Sequence, residues 1–170
     1  MFVPTISSRK VGTLDVISFF KYSSLETLLH NKHKPEGYRI YKALANMTMK
    51  PFIEEFVESD ERDVYIVGID KYVKSGYAHV ALLTRAMRTK HSIPQHSLPM
   101  AQNRVNYSGQ RLQFRLEHPR EFIYNGKSNV DVILVDDIIT TGITLQEAQK
   151  VLMTHGVNVL FALTLADVEE

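Results

Sequence analysis

At 170 residues the chain is long enough to bury a core of its own and reads as a single domain over positions 1–170. Its 44% hydrophobic and 23% charged residues predict a soluble globular protein, and the absence of cysteine excludes disulfides, thiolate metal sites and cysteine nucleophiles. The net charge of +1 conceals ten basic residues against two acids between Lys71 and Lys127, an excess of +8 that points either to solvated helix surfaces or to an anionic partner.

No apolar run approaches the length of a membrane span, and the N-terminus lacks the pattern of a secretory signal, so a cytoplasmic protein is expected. Leu14 to Phe20 is β-branched and aromatic with loose alternation, which predicts a strand. Ser23 or Ser24 suits the cap of a short helix carrying Leu25, Leu28 and Leu29. From Tyr38 onward Ile40, Tyr41, Leu44, Ala45 and Met47 recur at helical spacing, and Pro51 is expected to kink or restart that helix.

Val64 to Ile69 predicts a buried strand, followed by a helix over Val73 to Met87. Lys90 to Tyr107, with Pro94 and Pro99, reads as loop plus one short strand, and Phe122 to Tyr124 as another short strand before the turn Asn125-Gly126. Val130 to Val135 is an apolar strand. A helix from about Thr144 with Leu145, Ala148, Val151 and Leu152 inward should end near His155 and Gly156, and Val157 to Ala166 is a second apolar strand. A strand, helix and strand with both strands buried make a βαβ unit, hence a mostly parallel sheet flanked by helices, an α/β fold.

Ligands of open parallel sheets bind at the carboxyl ends of the strands. Asp136 and Asp137 are expected at such an end, followed by the loop Thr140-Thr141-Gly142-Ile143-Thr144 into the helix. Small and hydroxylated residues at a helix N-terminus suit a phosphate, because backbone N–H groups and the macrodipole both favour an anion there. Two carboxylates would repel that phosphate but suit hydroxyl donors. A ribose 5-phosphate supplies both ends, a phosphate and a diol. No Gly-Lys-Ser/Thr triplet follows and only one glycine is present, which argues against a P-loop and against a dinucleotide fingerprint.

The stretch Val132 to Thr144, VILVDDIITTGIT, resembles the phosphoribosyl-pyrophosphate motif of type I phosphoribosyltransferases. The resemblance implies that Asp136 and Asp137 hold the ribose hydroxyls at the catalytic centre, and that Thr140, Thr141, Gly142, Ile143 and Thr144 form the 5-phosphate loop. It implies a small hood region, Mg²⁺ accompanying the substrate, and a pyrophosphate loop at Asp70 and Lys71. Within that family the chain is most similar to ComF/ComFC competence proteins, through DDIITTGITLQEA, Gly76-Tyr77 and Arg115 followed by Phe122. It departs from their pattern at Ser75, Ala78 and His79, where they carry arginine, asparagine and glutamine. Their four-cysteine zinc module has no counterpart, so no zinc is expected.

That likeness implies a role in natural transformation, with single-stranded DNA and other competence proteins as partners. Arg85, Arg88, Arg104, Arg111 and Arg115 are the candidates for nucleic-acid or pyrophosphate contacts, and Tyr77, Tyr107 and Phe114 stand between basic positions where they could stack bases or pack in a hood. Two other readings stay open: a nucleobase phosphoribosyltransferase of purine or pyrimidine salvage, and a non-catalytic sensor or scaffold. His30 with His33, and His91 with His96, read as surface histidines, and no protein metal site is expected.

Overall fold

A computed structural model of the chain describes residues 3–30, 34–59, 62–69, 78–95, 100–101, 113 and 122–169. It opens with a β-hairpin, β1 (Ser7–Val11) and β2 (Leu14–Lys21), closed by the two-residue loop Gly12-Thr13 with Val11 opposite Leu14. Gly12 has φ +63°, which suits the first central position of such a turn. The hairpin's first strand was not foreseen from the sequence: Ser7 to Lys10 is polar throughout and carries no alternation.

Three helices follow, α1 (Tyr22–His30), α2 (Pro35–Met47) and α3 (Met49–Glu58). The expected break near Pro51 falls at Thr48, whose hydroxyl bonds to the Leu44 carbonyl. Pro51 instead lies in the first turn of α3, where its missing N–H leaves no bond unmade. β3 (Val64–Gly68) leads towards α4 (His79–Ala86), and β4 (Ser92–Gln95) closes the sheet. Pro94 is tolerated in β4 because that strand is an edge, bonded to β3 alone. The expected helix from Val73 lies partly outside the described residues. In place of one short strand after Lys90 there are two among the described residues, β4 and β5 (Met100–Ala101), the latter paired antiparallel with β6 (Phe122–Ile123) as a small separate sheet.

The βαβ unit is present as β7 (Asp131–Ile139), α5 (Ile143–Thr154) and β8 (Asn158–Asp167). Helix α5 ends in a Schellman arrangement: Gly156 has φ +72°, its N–H bonds to Met153, and the N–H of Val157 bonds to Leu152. The main sheet has the order β1-β2-β8-β7-β3-β4, with every pairing parallel except β1 with β2. Its two faces are covered separately. Ile66, Ile133, Val135 and Leu163 pack under α1 to α4, and Val67, Val132, Leu134 and Ala162 pack under α5 with Phe122 and Tyr124. This is the expected α/β architecture, a mostly parallel sheet with helices on both sides. Among the described residues no helix is long and apolar enough to cross a membrane.

Candidate functional site

The strand order places a switch point between β3 and β7. From β3 the chain crosses by α4 outward to β4, whereas from β7 it crosses by α5 in the other direction to β8. Crossovers that diverge from adjacent parallel strands leave a crevice at the carboxyl ends of those strands. The loop after β7 carries Thr140 to Gly142, and the strand before Asp70 and Lys71 ends at Gly68, followed by Ile69, whose N–H bonds to the Val135 carbonyl at 2.8 Å. Asp70 and Lys71 themselves lie outside the described residues.

Strand β7 runs further than its apolar residues suggested. It continues through both aspartates to Ile139, because Ile138 and Ile139 keep pairing with Ala166 and Asp167 of β8. Asp136 and Asp137 are therefore inside the strand rather than just beyond it, each only 3% exposed. They leave opposite faces. Asp137 follows Ile133 and Val135 onto the α1–α4 side, where Oδ2 accepts a hydrogen bond from the Tyr41 hydroxyl at 3.3 Å. Asp136 follows Val132 and Leu134 onto the α5 side, in register with Thr164, which is itself in register with Ser18. The Ser18 and Thr164 hydroxyls are 2.7 Å apart, so a buried polar row crosses β2, β8 and β7 near their carboxyl ends. Local backbone bonds hold the two carboxylates: the Asp137 N–H donates to Asp136 Oδ1 at 2.8 Å, and the Ile138 N–H to Asp137 Oδ1 at 2.9 Å.

The loop turns on Gly142, the residue before the first turn of α5, with φ +78°. The residue at the cap position is Gly142, which has no side chain to cap the helix, and the N–H groups of a helix's first turn have no intrahelical partner. A Cβ on Gly142 would run into Val11 Cγ1, so the glycine is required by space as well as by conformation. The helix begins at Ile143, one residue earlier than expected. Ile143 is buried and can offer a ligand only its N–H, while Thr141 and Thr144 are partly exposed.

Several neighbours of the loop were not anticipated. Arg9 on β1 reaches the Thr140 carbonyl with Nη2, holds Asp167 through Nε and Nη2 at 2.7 and 3.1 Å, and meets Glu169 at 2.8 Å. Tyr41 was read only as helix core. Besides Asp137 it meets the ring of His79, at the start of α4, edge-on at 5.1 Å. The one available signal for β1 was the pair Gly12-Thr13 between two apolar residues, a hairpin turn easily passed over when one strand is polar.

Arg85 and Arg88 stand in and just after the last turn of α4, where the Met87 carbonyl accepts the Ser92 hydroxyl at the amino end of β4. There His91 bonds to Asp63 at 3.1 Å and accepts the Val64 N–H with its carbonyl. Arg104, Arg111 and Arg115, like Tyr77, Tyr107, Phe114, His33 and His96, lie outside the described residues. Among the described residues no group of three or more carboxylate or imidazole side chains is placed to hold a metal ion.

Among solved structures, the chain is similar to a hypoxanthine phosphoribosyltransferase from Staphylococcus aureus in two crystal forms, with TM-scores of 0.45 and 0.43 and identities of 19% and 20%. Each match covers 74% of this chain and 64% of the other, so this chain spans less than two thirds of that enzyme's length. No family model matches the sequence, and no curated protein matches it.

Proposed function

We propose that the chain binds phosphoribosyl pyrophosphate in the crevice between β3 and β7 and acts as a phosphoribosyltransferase of the ComF type, working on single-stranded DNA in natural transformation. The observation that carries the reading is the stacking of two unlike features at one switch point. A pair of acids stands near the carboxyl end of β7, and six residues after Asp137 a helix start opens behind Gly142. The N–H groups of Ile143 and Thr144 and the hydroxyls of Thr141 and Thr144 would take the 5-phosphate. Asp136 and Asp137 would take the ribose hydroxyls, which are good donors to carboxylates.

In the reaction the bond from the anomeric carbon to the pyrophosphate oxygen breaks as a bond from the acceptor forms. The developing ring cation is favoured by the two nearby carboxylates, and no nucleophile from the protein is needed. The carboxylates leave opposite faces of β7 and do not converge on one ion. Mg²⁺ belongs to the substrate, as its pyrophosphate complex, whose own oxygens and water supply the ligands. Asp70 and Lys71, following β3, are the residues proposed to meet the pyrophosphate. The DNA partner rests on the likeness of DDIITTGITLQEA to ComF proteins and on the +8 segment between Lys71 and Lys127.

Calorimetric titration with phosphoribosyl pyrophosphate and Mg²⁺, with and without single-stranded DNA, tests the reading. Saturable binding that shifts with DNA is the expected result. Release of pyrophosphate with a free nucleobase instead would assign the chain to salvage. Folded protein that binds nothing would remove the pocket and leave a scaffold.

A further inference from the structure

The hairpin β1–β2 is not needed to build the βαβ unit, yet it is fastened at three points to the loop after β7 and the helix that follows it. Val11 fills the space beside Gly142, Gln146 of α5 lies against Gly12, and Arg9 spans from β1 to the Thr140 carbonyl. The Arg9 guanidinium is itself held. Nε and Nη2 take both carboxylate oxygens of Asp167 at 2.7 and 3.1 Å, and Nη1 takes Glu169 at 2.8 Å. The Arg9 and Asp167 side chains are only 21% and 6% exposed, and the Val168 N–H bonds to the Ile139 carbonyl, so the ends of β7 and β8 are tied into the same unit.

A fork of this kind fixes direction as well as distance. Thr140 supplies the carbonyl of the peptide that enters the loop. In a planar trans peptide the carbonyl and the following N–H point opposite ways. A carbonyl drawn towards Arg9 therefore turns the Thr141 N–H away from β1. Two carboxylates surround the one guanidinium, so the cluster carries no positive charge with which to attract an anion from a distance.

Resting on the phosphate-site reading above, we propose that Arg9 is a positioning residue for the 5-phosphate loop: clamped by Asp167 and Glu169, it sets the Thr140–Thr141 peptide so that the Thr141 N–H joins the first-turn amides of α5 as an anion donor. It acts by geometry and not by its charge, and it makes the N-terminal hairpin part of the ligand site.

The test is calorimetric titration of ribose 5-phosphate into the native chain and into Arg9→Lys and Asp167→Asn variants, with inorganic pyrophosphate plus Mg²⁺ as the second ligand and thermal melts to verify folding. Lysine keeps the charge but cannot span these acceptors, so Arg9→Lys should bind ribose 5-phosphate about tenfold more weakly while pyrophosphate binding holds. Asp167→Asn removes a negative charge beside the anion site, which by charge alone would tighten binding, whereas a lost clamp weakens it. Should either buried change unfold the chain, Glu169→Gln, at a carboxylate 66% exposed, should cost about twofold with the same ligand selectivity. Native-like affinity in Arg9→Lys, tighter binding in Asp167→Asn, or equal losses for both ligands overturns the proposal alone. A native chain that ignores ribose 5-phosphate overturns the phosphate-site reading and this proposal together.

Discussion

The Tyr41 hydroxyl donates to Asp137 Oδ2 at 3.3 Å, which joins the fully buried middle of α2 to the carboxylate end of β7. Removing that hydroxyl tests whether Asp137 must be held. Tyr41→Phe preserves the packing and leaves one carboxylate oxygen without this donor. Stability should fall by about 1 kcal/mol, read from urea midpoints, and phosphoribosyl pyrophosphate affinity should fall severalfold. A loss of stability with no change in affinity would make Tyr41 a core residue only.

Replacing both acids removes the proposed ribose contacts. Asp136→Asn with Asp137→Asn retains size and hydrogen-bonding atoms, so the sheet should persist by circular dichroism. Two charge-assisted bonds at about 1.5–3 kcal/mol each predict at least a hundredfold loss of phosphoribosyl pyrophosphate binding. Undiminished affinity in the folded double variant removes these residues from the site.

What the sequence disclosed follows the range of its signals. The strand Val132 to Val135, the helix carrying Leu145, Ala148 and Leu152, and the terminator Gly156 were legible because each is a contiguous pattern with its own period or cap. The acid pair with its threonine and glycine loop was legible for the same reason. Arg9 was not, since its partner Asp167 is 158 residues away and a polar edge strand has no hydrophobic rhythm. Tyr41 was concealed because a buried tyrosine contributes the same periodicity as a leucine while its hydroxyl does separate work. A charge excess carries no direction, so the sequence does not say where on the sheet α4 delivers Arg85 and Arg88.

Gly142 offers a test of the hairpin's contact with the loop. Gly142→Ala requires a left-handed backbone at φ +78° for an L-residue, costing about 1–2 kcal/mol, and it drives a methyl into Val11, adding about 1–3 kcal/mol. Urea denaturation should show a combined loss of about 2–5 kcal/mol. Adding Val11→Ala should recover the steric share and leave the conformational one. If the second change recovers nothing, the hairpin does not press on the loop as described.

Alkaline titration tests the opposite corner of the fold. Tyr124 donates from its hydroxyl to the Lys127 carbonyl at 2.8 Å, and burial first, then the neighbouring Tyr65, raises its pKa above the ordinary tyrosine value. The folded chain thus holds the phenol proton more tightly than the unfolded chain does. The stability from this preference is complete below about pH 10, where both states are protonated. It is lost as pH rises through the folded-state pKa, because unfolding then releases a proton. Tyr124→Phe should be less stable than the native chain near pH 8, by about 1 kcal/mol for the missing hydrogen bond. Its urea midpoint should then decline less steeply above pH 10, so the two curves converge. Parallel curves across that range would show that Tyr124 ionises no later in the folded protein than in the unfolded one.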